Sequence, residues 1–309
     1  MGDNKSMEVV KKTLKERKSL GMFFTPLWLV DYMTSLIDIN GMSYDRLKVL
    51  EPACGTCQFL RRVRDKFKYL DMDCVGVEVD KDIVEYSLER GYLERGFEVI
   101  VGDYLVWDSS DKFDVIIGNP PYGIPSPSEH YSIRVTSSIR EQYRRLYQTW
   151  HGKYNVYGAF IEKSVKLLKP QGQLVFVVPS TFMILDEFKK LRCFLSNMGR
   201  TQIIYLGSNV FKPEVDISTV VLKFTKSENE KHLLSLFEYK DGETRLLWKN
   251  TNWKGELVLF STEFSKRLEN MCSFRLGQVF EIKISPRTPE VKNNPEILKM
   301  PISSDQVSH

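Results

Sequence analysis

The sequence predicts an α/β domain built on a doubly wound, mixed and mainly parallel sheet with helices on both faces. Two observations carry that expectation. Short apolar runs alternate with segments of helical spacing from Leu47 to Gly207. Four turns suited to holding a ligand fall at or just after the ends of consecutive runs, and sheets of this kind bind ligands outside the carboxyl ends of their strands.

Leu47–Glu51 reads as a buried strand and leads into a helix from about Gln58 to Phe67. Cys74–Glu78 is the next strand, followed by a helix from Asp80 to about Glu89 with Asp80 at its N-cap. Phe97–Gly102 and Phe113–Gly118 are the third and fourth strands. Tyr157–Leu168 is helical, with Ile161, Val165 and Leu168 on one face. Leu174–Pro179 is a fifth strand, Glu187–Met198 a helix, and Gln202–Gly207 and Thr219–Phe224 are further strands. After Lys226 the pattern loosens into strand-like pieces at Leu233–Tyr239 and Leu257–Phe260, with Trp248 and Trp253 between them. Residues 1–20 read as a charge-rich leading helix and 21–262 as the main domain. Residues 263–309 begin something further, and the stretch beyond Ile284 is too polar to form a core alone.

Composition sets loose bounds. The 309 residues suffice for one large buried core, and a net charge of +4 permits a nucleic-acid partner without demanding one. The five cysteines are scattered, which fits a reducing, cytoplasmic setting. Cys54-x-x-Cys57 has no second Cys or His pair at zinc spacing, so no metal is expected. No run is long and apolar enough to span a membrane.

The four turns carry the chemistry. Glu51-Pro52-Ala53-Cys54-Gly55 runs from a strand through small residues into a helix, where the backbone can approach a nucleotide-like ligand. Glu78, at the end of the second strand, lies where an acidic residue takes both hydroxyls of a ribose, and Val79 follows it. Asp103 supplies an acceptor for the amino group of an adenine ring, and Tyr104 a face to pack on it. Asn119-Pro120-Pro121-Tyr122 ends a buried strand with two acceptors, the Asn119 side-chain carbonyl and the Pro120 backbone carbonyl. Neither proline has an N–H to compete. Acceptors aimed at both protons of a conjugated amine favour the tetrahedral nitrogen that attacks a methyl donor, and Tyr122 offers a ring to a flat base. Over residues 133–153, Arg134, Arg140, Arg144, Arg145 and Lys153 stand against one acid, Glu141, with Tyr143, Tyr147 and Trp150 interleaved. Such stretches track phosphates.

With these residues in view, the chain resembles the gamma group of adenine-N6 DNA methyltransferases, most closely the TaqI-type modification methylases. The likeness runs from about Gly21 to Pro301. It is carried by Phe24-Thr25-Pro26, Leu50–Cys54, Gly76-Val77-Glu78, Gly118–Gly123, the run from Gly152 to Phe160, and Leu174–Pro179. The resemblance implies a class I S-adenosylmethionine-dependent methyltransferase fold, S-adenosyl-L-methionine as cofactor, and double-stranded DNA as substrate within a restriction-modification system. It places the cofactor's methionine end at Thr25, Glu51, Ala53 and Cys54, with Pro52 and Gly55 beside them. The ribose falls to Glu78 with Val79, the adenine ring to Asp103 and Tyr104, and Pro121 borders the cofactor. Asn119 and Pro120 hold the target amine, and Tyr122 and Phe211 contact the extruded base; from the charge of the basic stretch, Arg144 and Lys153 are the expected contacts to the DNA backbone.

The resemblance also implies a sizeable C-terminal target-recognition domain, and residues 263–309 resemble only its entry. Either the chain is a truncated product or a separate recognition chain completes it. Competing readings are methylation of protein glutamine or ribosomal RNA, a non-catalytic binding module, and another nucleotide-dependent enzyme on the same fold. The Phe24-Thr25-Pro26 segment and the basic stretch disfavour the first, the intact Asn-Pro-Pro-Tyr loop the second, and the weak glycine pattern the third.

Overall fold

The computed structural model describes residues 25–40, 46–93, 96–127, 133–213, 216–260 and 271. The leading helix expected over residues 1–20, and all of 263–309 except Met271, lie outside them. The chain divides into two compact units, residues 1–259 and 260–309. The first unit carries every helix and strand named below.

Helix α1 spans Leu27–Ser35 and buries Leu29, Val30 and Met33. Then come β1 (Leu47–Pro52), α2 (Gln58–Lys66), β2 (Met72–Glu78), α3 (Lys81–Glu89), β3 (Phe97–Val101) and β4 (Phe113–Gly118). A small two-stranded ribbon, β5 (Pro125–Ser126) and β6 (Ile133–Arg134), precedes α4 (Ser137–Leu146) and α5 (Val156–Leu167). Strand β7 (Leu168–Pro179) leads through two short 3-10 turns into α6 (Lys189–Met198). The chain then forms β8 (Gly199–Gly207), β9 (Thr219–Lys226), β10 (Leu234–Lys240) and β11 (Glu243–Asn250).

The nine large strands form one sheet in the order β11-β10-β8-β9-β7-β4-β1-β2-β3. From β7 through β3 all neighbours are parallel, β9 runs antiparallel between β7 and β8, and β10 and β11 form an antiparallel pair. The sheet is therefore mixed, with a parallel half carrying the ligand-type turns. Parallel crossovers are right-handed. The chain moves outward through β1, β2 and β3, then returns across β1 to β4 and moves the other way to β7. Helices α2 and α3 thus cover one face and α5 the opposite one, and the direction reverses between β1 and β4. The crevice at that reversal is where such sheets bind ligands.

Burial explains why these runs are strands. Leu47, Val49, Leu50, Val115, Ile116 and Ile117 are all inaccessible to solvent. Each contributes roughly 1.5–3 kcal/mol on leaving water. Asp114, buried at the far end of β4, is satisfied by the Lys48 backbone N–H (2.8 Å) and Lys169 Nζ (2.7 Å).

Three expectations need correction. Leu257–Phe260 is not a strand: Val258 N donates to Met183 O, and Leu257, Leu259 and Phe260 are exposed. The last strand is instead Glu243–Asn250, joined to β10 through Asp241 and Gly242, both at positive φ. Leu168 begins β7 rather than ending a helix, because the strand starts six residues before Leu174 to pair with Phe113. Glu187 lies in a 3-10 turn, and the α-helix starts at Lys189.

Candidate active site

The site is built from the carboxyl ends of β1, β2, β3 and β4. After β1 the chain makes a tight turn in which Ala53, Gly55 and Cys57 all take positive φ (55°, 51° and 57°). Two of these are not glycine, and each such residue costs of order 1 kcal/mol. The turn is held by Cys54 N donating to Val77 O (3.0 Å) and Cys57 N donating to Cys54 O (2.8 Å). Cys57 gives α2 no side-chain cap. Glu51 does that work from the strand, accepting from Leu60 N at 3.0 Å. Burial pushes the Glu51 carboxyl well above its ordinary value, with the nearby Cys57 adding to the effect. The Cys54 thiol is also raised well above its ordinary value, first by its hydrogen bond with Cys57 and then by burial.

Glu78 spans the turn and the next helix. Its Oε2 accepts from Gly55 N at 2.8 Å and its Oε1 from Asp80 N at 3.0 Å. Asp80 is the N-cap of α3, accepting from Asp82 N, as its position in the sequence suggested. Asp103, after β3, accepts from Leu105 N at 2.9 Å through Oδ1 and from the Tyr143 hydroxyl at 2.5 Å through Oδ2. The turn behind it is held from two helices. From α4's end the Tyr147 hydroxyl donates to Leu105 O, and from α5 the Lys163 ammonium donates to the carbonyls of Tyr104 and Trp107. Burial lowers Lys163 to about 8, opposed by Asp103 and Asp108.

The Asn-Pro-Pro-Tyr loop follows β4. Asn119 Nδ2 donates to Thr25 Oγ1 at 3.1 Å, which directs the amide nitrogen to Thr25 and the carbonyl oxygen to the other side. Gly123 is clamped by Asn155, whose Oδ1 accepts from Gly123 N at 2.9 Å, while Val156 N donates to Gly123 O at 2.8 Å. The Tyr122 hydroxyl donates to Val177 O on β7 at 2.9 Å. Its ring meets Phe211 edge-on, with centroids 6.2 Å apart and planes at 75°.

These ends enclose one cavity of about 730 Å³. Thr25, Glu51, Ala53, Cys54, Gly55, Glu78, Val79, Asp103, Tyr104, Asn119 and Pro121 all line it, so most of the expected ligand-binding residues converge. Pro52, Pro120, Tyr122 and Phe211 do not. Pro52 is buried at the end of β1, and the last two pack against each other. The sequence reading missed the roof, formed by Ile133, Val135, Thr136, Ile139 and Tyr143 from the segment after the loop. It also missed Asn155. The run Lys153–Phe160 marks the resemblance, but nothing in its composition points to a clamp on Gly123.

The basic stretch is sided. Arg144 and Arg145 are exposed on α4 beside Glu141, at 3.6 and 3.5 Å, and Lys153 is exposed in the following loop. Tyr143, Tyr147 and Trp150 face inward and are buried, so they anchor the helix rather than interleave with the cations on its surface. Among the described residues, no helix is long and apolar enough to cross a membrane.

Comparison with known proteins agrees with this geometry. Residues 76–211 match the family model of the Eco57I restriction-modification methylase. The chain is 41% identical over 287 residues to the type II methyltransferase M.TthHB8I of Thermus thermophilus, an alignment covering 92% of this chain and 63% of that protein. It is 37% identical over 132 residues to the type II restriction enzyme and methyltransferase RM.Eco57I of Escherichia coli, covering 42% of this chain and 12% of that one. The chain thus spans less than two thirds of the length of either relative. Among solved structures, a Listeria monocytogenes protein described as a class I S-adenosylmethionine-dependent methyltransferase superposes with a TM-score of 0.56 at 22% identity, over 75% of this chain and 69% of that one. The methyltransferase subunit of a type I restriction-modification system from Streptococcus thermophilus gives 0.56 at 16% identity, over 84% and 54%. The fold is that of the class I methyltransferases.

Proposed function

We propose that this chain is a type II restriction-modification methyltransferase and that it transfers the methyl group of S-adenosyl-L-methionine to the N6 amino group of an adenine turned out of double-stranded DNA. The observation that carries the reading is the meeting, in one crevice, of the Asn-Pro-Pro-Tyr loop with a cavity edged by Glu51, Glu78 and Asp103.

The residues fit the cofactor. Three carboxylates edge the cavity, and among its described lining residues Arg134 is the one cation. Such a lining suits a ligand that brings an ammonium, ribose hydroxyls and a nucleobase amine, and repels the phosphates of a dinucleotide. A Cβ built at Gly55 would meet nothing within 4 Å, so the backbone there is open to a ligand. Glu51 and Thr25 serve the methionine end, Glu78 with Val79 beside it the ribose, and Asp103 with Tyr104 the adenine. When bound, the cofactor supplies an electrophilic methyl group on a sulfonium.

The chain's own residues prepare the nucleophile. Asn119 Oδ1 and the Pro120 carbonyl accept the two protons of the target amine, drawing its lone pair out of conjugation with the ring. Thr25 keeps the Asn119 amide from turning its nitrogen inward. Asn155 holds Gly123, and Val177 holds Tyr122, so the loop is set before substrate arrives.

A base inside a duplex cannot reach this loop and must be extruded, at a cost of a few kcal/mol. Stacking on Tyr122 and contact with Phe211 return about 1–3 kcal/mol. Because those rings are buried against each other, base entry requires the pair to part. The remaining cost falls to backbone contacts, for which Arg144, Arg145 and Lys153 are exposed. A host-protective role in the cytoplasm accords with this activity, with residues 263–309 contributing to sequence recognition. Tritiated methyl transfer to DNA, RNA and a release-factor-like protein, with wild type beside Asn119→Ala, tests the assignment. Label in DNA that disappears with Asn119→Ala supports it. Label only in protein or RNA overturns it.

A further inference from the structure

The cavity's roof contributes a side chain that reaches one of the carboxylates edging the cavity directly. Tyr143 lies on α4, outside every motif at the strand ends, yet its hydroxyl donates to Asp103 Oδ2 at 2.5 Å. Asp103 Oδ1 is held from the other side by Leu105 N. Each carboxylate oxygen can accept more than one hydrogen bond. The two anchors therefore fix the plane of the carboxylate and leave acceptor capacity directed at the cavity that both residues line.

The phenol is itself well fixed. Its ring is buried and packs on Trp150 with centroids 6.2 Å apart. The helix end is pinned to the same turn by the Tyr147 hydroxyl on Leu105 O. Burial, reinforced by the neighbouring Asp103 carboxylate, raises the phenol far above its ordinary value, so it remains a donor at any working pH.

We propose that Tyr143 is a positioning residue that sets the nucleobase specificity of the donor site: by holding Asp103 it makes the site select a 6-aminopurine over a 6-oxopurine. This rests on the reading of the cavity as the S-adenosylmethionine site. A fixed acceptor rewards the amine and penalises an oxo group in the same place. An acceptor free to rotate can turn away from the oxo group and loses that discrimination. The same helix carries Arg144 and Arg145 outward, so the residue that tunes the donor site sits on the element offered to the DNA backbone.

The test is calorimetric binding of S-adenosylhomocysteine and its deaminated counterpart, S-inosylhomocysteine, to the whole 309-residue chain. Wild type should prefer the adenosyl ligand by at least about tenfold. In Tyr143→Phe the adenosyl affinity should fall about three- to tenfold while the inosyl affinity changes little, so the preference narrows. Tyr147→Phe, which loosens Leu105 and its anchor on Asp103 but leaves the Tyr143 bond in place, should weaken both ligands and keep more of the preference than Tyr143→Phe does. Placing 3-fluorotyrosine at position 143 keeps the donor and should retain the wild-type preference, which also covers a poorly folded Tyr143→Phe. If wild type shows no preference, the assignment of Asp103 to the nucleobase fails. If wild type discriminates and Tyr143→Phe keeps the same ratio, or binds the adenosyl ligand more tightly, the role given to Tyr143 is overturned.

Discussion

Replacing Gly76 with alanine tests how the donor turn is packed against the sheet. Gly76 is in the middle of β2, paired with Glu51 on one side and Val99 on the other. A Cβ added there would stand 2.7 Å from Cys54 Sγ, 3.2 Å from Cys54 Cβ and 3.4 Å from Val99 Cγ2. Ordinary carbon contacts lie near 3.5–4.0 Å, so the thiol must move by most of an ångström. It has little room to do so, because Cys54 is buried, tied by its N–H to Val77 O and by its thiol to Cys57. Overpacking of this kind costs about 1–3 kcal/mol, which lowers the melting midpoint by roughly 2–10 °C for a chain of this size. The turn that carries Ala53 to Cys57 shifts with it, so donor affinity should fall in parallel. The assay is thermal unfolding and calorimetric binding for Gly76→Ala, Cys54→Ala and the double mutant. Removing the sulfur removes the worst contact, so the double mutant should be more stable than the two single costs combined predict, by about 1 kcal/mol or more. A Gly76→Ala protein that melts with wild type, or costs that merely add, would refute the packing argument.

Other consequences are checked with the same preparations. Asn155→Ala leaves the Gly123 N–H without its acceptor and should lower kcat about tenfold or more with the donor dissociation constant unchanged, whereas Asn155→Asp, which keeps an acceptor, should recover much of the loss. Phe211→Ala should lower kcat/KM for DNA roughly tenfold and leave donor binding alone, read by steady-state kinetics beside calorimetry. Donor affinity should decline as pH rises through about 8, where Lys163 loses the proton that strengthens its bonds to the Tyr104 and Trp107 carbonyls, and Lys163→Met should abolish that dependence. Global stability moves the other way. The folded pKa is depressed from 10.5 to about 8, so between those values the unfolded chain holds the extra proton. The Lys163 contribution to folding therefore rises with pH across that window, visible in denaturant titrations of wild type against Lys163→Met.

Much of the parallel half of the sheet was legible because each of its strands is a short apolar run ending in a turn of distinctive residues. Phe113–Gly118 was placed to the residue, and Asp80 was recognised as a cap. The far half was harder. Glu243–Asn250 is largely exposed on β11, so it lacks the apolar signature of a buried strand, although Asp241-Gly242 between two runs is a hairpin signal. Leu257–Phe260 misled for the opposite reason, since it is an apolar run whose side chains, Val258 apart, are exposed, and its backbone takes no place in the ladder: Leu259 O accepts from the Trp248 indole of β11 instead. Within the site, the residues on strand ends could be read because strand position dictates what they face. Tyr143, Asn155 and Lys163 could not, because each acts on a residue 32 to 59 positions away, at Asp103, Gly123 and the Tyr104–Trp107 turn, through contacts that only the fold creates. The interleaved aromatics of the basic stretch show the same limit: alternation in sequence does not say which side of a helix meets solvent.

The most direct measurement is the identity of the methylated nucleoside. Duplex DNA containing all four bases is incubated with the chain and isotopically methyl-labelled S-adenosyl-L-methionine, digested, and resolved by mass spectrometry, with Asn119→Ala as control. Adenine N6 should carry the label in the wild-type reaction and lose it in the variant. Label on cytosine N4 would keep the amine chemistry of Asn119 and Pro120 and overturn the choice of base, and DNA left unlabelled while a protein or RNA substrate is methylated would contradict the DNA assignment itself.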